Sequence, residues 1–250
     1  MSIKLVFRYW NARGRVQAVR YMLEDIAATN KNVDYKEEPE LLEKALESWM
    51  GRNKADESVS GPFHTLPVLH WNNKHVFAQT LPIGLLLARK FNLYGKLTAS
   101  IDEEDALHAY IDGVVSCAYT DVITNILMCV WNQIDFVDDN NPANRAAKKV
   151  PNDLKALNSL LKKSSTPFFY DQAEPTIADY FVFEAYTMAR DYSEKMIPSE
   201  EDRDALVKLE QVMSERPGIA NYLKKDLLYK RFTGSPKEAE YMEKLKGNSK

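Results

Sequence analysis

Pro67 stands directly before a short apolar run, Val68–Trp71, in the stretch SGPFHTLPVLHWNNKHVFAQT, residues 60–80. Asn72-Asn73-Lys74 and a second short run, His75–Ala78, follow, so a β-hairpin is expected. Proline brings no N–H to a strand. One chemical use for it is a cis X-Pro bond that turns the backbone groups beside it outward, where an extended peptide ligand can pair with them as a further strand. The alternative is an ordinary edge proline.

Other reactive groups are sparse. Cys117 and Cys129 lie twelve residues apart with no CxxC and no Cys/His cluster. That disfavours a disulfide framework and a zinc site, and it fits a reducing compartment. The 250 residues carry a formal net charge of −3, with a pI near 5.9. Mild acidity argues against a nucleic-acid or anionic-membrane surface. The hydrophobic share of 45% and charged share of 28% fit a soluble globular protein. In MSIKLVFRYW the apolar run contains Arg8 and is too short for a signal peptide. No segment approaches the roughly eighteen uninterrupted apolar residues of a membrane span. No membrane association and a cytoplasmic location are therefore expected.

These groups must be positioned by regular elements. Residues 3–9 read as a buried strand ending at Tyr9. Val16, Val19, Met22, Leu23 and Ile26 recur at helical spacing, which predicts a helix over 15–28. A second strand at 33–35, a helix at 41–50, a polar loop at 52–60, the hairpin and an apolar helix at 81–91 follow. The order is β-α-β-α-β-β-α within residues 1–94. After a linker at 92–100 the pattern is helical throughout: 102–131, 143–163, 176–192, 202–214 and 219–225. The helix at 176–192 is unusually apolar and so is expected at the centre. Residues 235–250, rich in Lys and Glu, read as a solvated helix or frayed end. The fold class is α/β plus all-α: a small domain over 1–94, a helical bundle over 101–234 and a charged tail over 235–250.

Four stretches in this order resemble the cytosolic glutathione transferases, sigma-like and related to haematopoietic prostaglandin D synthase. YWNARGRVQAVRYML resembles the family's Y-F-x-x-R-G-R-A-x-x-x-R opening. Trp49 stands where a W-x-x-x-K segment is expected. PFHTLPVL resembles P-F-G-Q-L-P-V-L, whose proline is cis in the family. AQTLPIGLLLARKF resembles Q-S-x-A-I-x-R-Y-L-A. Further on, EPTIADYFVFE resembles the family's S/T-x-x-D capping box, with Thr176 and Asp179 as a folding device. The resemblance implies a thioredoxin-like first domain, glutathione as co-substrate, a small hydrophobic electrophile as second substrate, and a homodimer.

It also implies roles. Tyr9 would donate its hydroxyl to the glutathione thiolate; the alternative is a half-buried strand-end tyrosine. Arg15 would orient the thiolate or the γ-glutamyl group, or is a solvated arginine. Arg13 is read as structural and Arg20 as half of an ion pair. Trp49 would donate its indole N–H to the glycine-end carboxylate, with Lys54 or Arg52 beside it, or is a core residue. Thr65, Leu66 and Pro67 would meet the cysteinyl part through backbone. Gln79 and Thr80 would hold the γ-glutamyl end at a strand-to-helix junction, where N–H groups and the helix dipole favour an anion. Asp112 would reach the γ-glutamyl amine across a dimer interface, or is a solvated acid. Tyr110, Val114, Cys117 and Tyr119 would line an electrophile pocket, or pack in the core.

Departures from the family pattern are equally specific. The segment between Trp49 and Pro67 is longer, and Lys54 follows Trp49 at a wider spacing. His64 stands where the family has glycine, which tolerates backbone angles that histidine resists. Leu85-Leu86 replace the arginine and tyrosine of R-Y-L, and the chain extends further at its C-terminus. The leading expectation is a glutathione S-transferase active in detoxification. A glutathione-dependent isomerase is a variant of it. The alternative is a non-catalytic module on the same fold, crystallin-like or an assembly subunit. A thiol enzyme of the peroxidase or omega type is disfavoured, since no cysteine precedes Cys117.

Overall fold

The computed structural model describes residues 2–96, 101–132, 142–225, 231–235 and 237–247. Its elements in chain order are β1 (Ile3–Arg8), α1 (Gln17–Thr29), β2 (Val33–Glu37), the four-residue helix α2 (Glu57–Ser60), β3 (Val68–Trp71), β4 (His75–Ala78) and α3 (Thr80–Lys90). Then follow α4 (Ile101–Ser116), a π-helical segment (Cys117–Ile123), α5 (Thr124–Asn132), α6 (Pro142–Leu161), α7 (Ile177–Tyr192), α8 (Asp204–Glu215), α9 (Pro217–Lys224) and α10 (Glu238–Gly247). Part of the expected linker, 97–100, and the tail's last residues, 248–250, lie outside the described residues.

The chain forms two units. The first is Met1–Phe91 together with Arg216–Gly234; the second is Asn92–Glu215 together with Ser235–Lys250. The sequence-based division at 94 and 234 therefore differs in one large respect. Residues 216–234 were expected in the helical domain and pack instead with the first unit. The physical reason is a close helix contact. A side chain at Gly218 would strike the backbone of Glu24 and Asp25, so the absence of a Cβ lets α9 lie directly on α1. Tyr222 meets Tyr21 edge-on at 5.8 Å, and Arg216 Nε donates to Asp25 Oδ2 at 2.6 Å.

The first unit is a four-stranded sheet in the order β2-β1-β3-β4. β1 pairs parallel with β2 and antiparallel with β3, and β3 pairs antiparallel with β4. Leu5, Phe7, Val68 and Leu69 are buried with Val16, Val19, Met22, Leu23 and Ile26 of the α1 stretch and Ile83 and Leu87 of α3. The hairpin turn carries positive φ at Asn72 (53°) and Asn73 (54°), and Lys74 N–H donates to Trp71 C=O at 3.0 Å. That is the type I′ pattern, whose twist matches the strands.

The helix expected at 41–50 does not form. The chain makes a 3-10 turn at Leu42–Lys44 and a π-turn at Trp49–Asn53. Leu41, Leu46 and Met50 mimic helical periodicity, yet all three are exposed, Leu46 to 82%. Their spacing had no buried face to serve. Local anchors shape the stretch instead: Leu42 N–H donates to Asn11 Oδ1 at 3.0 Å, and Trp49 is buried against Trp10. Within the polar loop expected at 52–60, α2 forms because Asp56 caps it, accepting from Ser58 N–H at 2.9 Å.

In the second unit α7 is the central helix, as its composition predicts: of Ile177–Tyr192 only Arg190 and Asp191 are not buried. Its start is the expected capping box. Asp179 accepts from Thr176 N–H at 2.7 Å, Thr176 Oγ1 at 2.9 Å and Phe169 N–H at 3.0 Å. The tail contains α10, which is not wholly solvated: Tyr241 is buried, its hydroxyl 2.5 Å from that of Tyr192. The stretch 103–132 is long and apolar enough to cross a membrane by length and composition, but half of its most apolar window is buried within the protein.

Candidate functional site

The strand register lines up the first group of predicted residues. Arg8 of β1 pairs with Val68 of β3, and Val68 pairs with Ala78 of β4. One step further along each strand are Tyr9, Pro67 and Gln79. They therefore stand side by side at one end of the sheet, past its last rungs. The Leu66–Pro67 bond is cis. Pro67 is buried and Thr65 and Leu66 are half-buried. Since the β3–β4 ladder begins at Val68, the backbone of Leu66 lies outside it.

Gln79 precedes α3 with φ 74° and ψ 137°. A glutamine at positive φ holds a strained backbone of the kind that collects at functional sites. The strain turns the chain sharply from β4 into α3, so the helix N-terminus opens beside the row. Thr80, its first residue, is buried, and Gln79 is exposed. N–H groups that lack helical partners and the positive end of the dipole make this an anion-favouring corner.

Tyr9 is buried and tightly framed. Arg15 N–H donates to Tyr9 Oη at 3.4 Å. The Arg20 guanidinium lies over the ring, 5.5 Å from its centroid. On another side stands Gly14, at φ 52°, where a Cβ would come within 2.5 Å of Tyr9 Oη and Cε1. Glycine is thus required there twice over, by backbone angle and by space. α1 begins two residues later than the pattern predicts, so Arg15 lies in the turn before it and not on the helix.

Trp49 is buried, with its ring edge-on to Trp10 at 6.2 Å. Lys54 N–H donates to Trp49 C=O at 2.8 Å, an i→i+5 bond. A π-turn absorbs one extra residue, which accounts for the wider Trp49–Lys54 spacing: Lys54 closes the turn that residue i+4 would close in an α-helix. Lys54 and Arg52 are both exposed. His64 adopts φ 49°, the angle that glycine would take without strain. Its ring offsets the cost by bonding: Nδ1 is 2.9 Å from Lys54 C=O and 3.1 Å from Ser60 Oγ.

Asp112 belongs to the second unit, where it is exposed and accepts from Tyr94 Oη at 2.9 Å. The four residues expected to line an electrophile pocket do not share one environment. Val114 is core, Tyr119 packs edge-on to Phe181 at 6.0 Å, and Tyr110 is exposed and stacks on Tyr170 at 5.8 Å. Burial, and then Asp153 and Asp121, push the half-buried Cys117 thiol up to about 11, so it is not a ready nucleophile.

Two site neighbours escaped the sequence reading. Arg231 and Phe232 accept, through their carbonyls, the N–H groups of Arg13 (2.6 Å) and Gly14 (2.7 Å). Phe232 is buried, with the Arg13 guanidinium 5.7 Å from its ring centroid. No local signal marks a contact between residues more than two hundred positions apart. Arg20 was expected in an ion pair and has one, with Glu37 at 2.7 Å. Among the described residues no group of three or more His, Cys, Asp or Glu could hold a metal ion.

Residues 120–226 match the family model described as "Glutathione S-transferase, C-terminal domain". Among curated proteins, "Glutathione S-transferase alpha-1" of Rattus norvegicus is 31% identical over 135 residues, covering 53% of this chain and 52% of that protein. "Glutathione S-transferase A1" of Mus musculus is 29% identical over 133 residues, with the same coverage of 53% and 52%. The chain thus matches about half the length of these relatives. Among solved structures, a Nu-class GST from Haemonchus contortus superposes with a TM-score of 0.63 at 18% identity, over 89% of this chain and 97% of that one. The Pi-class glutathione S-transferase of Onchocerca volvulus gives 0.62 at 19%, over 90% and 93%. The named classes are alpha, Nu and Pi, and the sigma-like subtype is not among them. This chain has the glutathione S-transferase fold, a mixed four-stranded sheet with helices followed by a helical domain, and its residues 120–226 are similar to that family's C-terminal domain.

Proposed function

We propose that this chain is a glutathione S-transferase that joins the glutathione sulfur to a small hydrophobic electrophile, with Tyr9 holding the thiolate. One observation carries the reading: the register sets Tyr9, Pro67 and Gln79 in a row beside the N-terminus of α3. A tripeptide laid along that row would bring its backbone to Leu66, its sulfur to Tyr9 and its γ-glutamyl carboxylate to Gln79 and Thr80. Trp49 and Lys54, held together by the π-turn, would take the glycine-end carboxylate.

The chemistry follows from the tyrosine. A thiol of pKa about 8.5 is only slightly ionised at neutral pH. Tyr9 accepts from Arg15 N–H, and that polarises its own O–H toward a sulfur anion. Donation to the anion favours the charged form; a two-unit fall in thiol pKa is worth about 2.7 kcal/mol. The thiol proton passes to solvent, the sulfur lone pair forms the new C–S bond, and the electrophile's leaving group departs with the displaced pair. Arg15 would keep the thiolate oriented. Asp112 would engage the γ-glutamyl amine of a second subunit in a homodimer. A cytoplasmic, detoxifying role suits these chemistries. The motif likeness is sigma-like while the sequence relatives are named alpha, so the reading rests on this chain's own sheet-end row and not on a subclass.

Calorimetry of glutathione binding to the wild type and Tyr9→Phe, with thiolate absorbance followed against pH, tests it. Binding by both, with the thiolate appearing at higher pH in the variant, is the expected result. A folded wild type that binds no glutathione would overturn the proposal and leave a non-catalytic module.

A further inference from the structure

Arg20 is a charge of the first unit held by many partners at once. It is fully buried on α1. Nε donates to Glu37 Oε1 at 2.7 Å and Nη2 to Trp10 C=O at 2.8 Å. Nη1 donates to Ala12 C=O at 2.7 Å, with Arg13 C=O and Gln17 Oε1 at 3.3 Å. Three carbonyls of the turn between β1 and α1 thus converge on one guanidinium. That turn runs from Tyr9 to Arg15, whose N–H donates to Tyr9 Oη. The same guanidinium carbon sits 5.5 Å from the centroid of the Tyr9 ring.

A purely structural role would not need that last contact. A neutral donor could hold carbonyls, and taking a cation out of water costs several kcal/mol unless it is well paired. Arginine adds a permanent charge against an aromatic face. Burial, the largest single effect, works against the charge, but Glu37 together with Tyr222 and Tyr35 raises the guanidinium above its ordinary value, so it stays protonated at any physiological pH.

We propose that Arg20 is a positioning residue for Tyr9: it fixes the Trp10–Arg13 turn that aims the hydroxyl, and its charge against the ring makes that hydroxyl a stronger donor. This rests on the reading of Tyr9 as the thiolate's partner. Glu37 acts in the opposite sense, because its carboxylate partly cancels the guanidinium.

The other titratable or charged groups around this pair are Tyr35 of β2, Tyr222 of α9, Glu24 of α1, and Arg13 and Arg15 of the turn. Burial pushes Tyr222 up to about 12 and Tyr35 well above its ordinary value, so both ionise at high pH. Difference spectra against Tyr9→Phe, recorded in each background, isolate the Tyr9 phenol.

The test compares Arg20→Met, Arg20→Lys and Glu37→Gln, each checked for folding by circular dichroism. The Tyr9-dependent phenolate absorbance is followed against pH without glutathione. The titration should move to higher pH in Arg20→Met, less so in Arg20→Lys, and to lower pH in Glu37→Gln. Opposite directions for the two partners are the decisive sign, since both substitutions break the same ion pair and a merely structural role would give the same response in both. Shifts in one direction, or none in folded variants, would overturn the inference. Because the titration omits glutathione, it stays separate from the transferase reading, which fails if the folded wild type binds no glutathione or if Tyr9→Phe leaves the bound thiolate unchanged.

Discussion

Gly14→Ala is the sharpest probe of the frame around Tyr9. The position has φ 52°, and an added Cβ would lie 2.5 Å from both Tyr9 Oη and Cε1 and 2.9 Å from Cζ. Ordinary carbon contacts begin near ~3.5 Å, so the ring must retreat by about 1 Å. The left-handed backbone adds about 1–2 kcal/mol, and the overpacking about 1–3 kcal/mol. Together they remove a sizeable part of a typical folding stability of roughly 5–15 kcal/mol. A displacement of about 1 Å at a reacting group costs on the order of a hundredfold in rate. The assay is kcat/KM for glutathione with an activated aryl halide, alongside thermal unfolding. Gly113→Ala serves as control: it lies on α4, and nothing stands within 4 Å of its added Cβ. There alanine should stabilise by about 0.5–1 kcal/mol. The reasoning fails if Gly14→Ala keeps both its unfolding temperature and its kcat/KM.

Other perturbations separate the forces that hold the fold. Burial pushes Asp179 up to about 7, although Thr176 and Phe169 donate to its carboxylate. Its folded pKa exceeds the ordinary unfolded value near 3.9, so its contribution to stability is fully present below pH ~4 and is lost as pH rises through about 7; Asp179→Asn should flatten that slope in urea titrations and cost about 1 kcal/mol of capping. Arg216→Met strips the ion-pair partner from the buried Asp25 carboxylate and should destabilise by about 3 kcal/mol, read from the urea midpoint. Asn73→Gly, at φ 54° in the hairpin turn, should raise the unfolding temperature, since glycine accepts that angle without strain.

The hairpin and the capping box were legible because their signals are local. Asn-Asn between two short apolar runs specifies a type I′ turn, and Thr176 with Asp179 specifies a helix start within four residues. The row of Tyr9, Pro67 and Gln79 follows from no spacing rule in the sequence; only the sheet register brings the three together. The failure at 41–50 is instructive. Helical periodicity marks a face that something must cover, and Leu46 and Met50 are left exposed. The return of residues 216–234 to the first unit depends on Gly218 meeting α1, a contact that no sequence window spans.

That return also decides what holds the turn between β1 and α1 from behind. The carbonyls of Arg231 and Phe232 accept from Arg13 and Gly14, and two of the side-chain contacts beside them differ in kind. One is the ion pair of Arg231 with Glu43, at 2.7 Å but with both side chains about half exposed. Water and salt screen such a pair strongly. The other is the Phe232 ring, 5% exposed beneath the Arg13 guanidinium. Burying a ring of that size is worth about 1.5–3 kcal/mol, so the ring, not the charge, should set the strength of the contact. Phe232→Ala should therefore speed hydrogen exchange at the Arg13 and Gly14 amides, whereas Glu43→Gln or 1 M salt should leave them nearly as protected as before. Protection that survives Phe232→Ala but collapses in high salt would show the reverse order of forces. The turn beneath Tyr9 would then be tuned by ionic strength and not by packing.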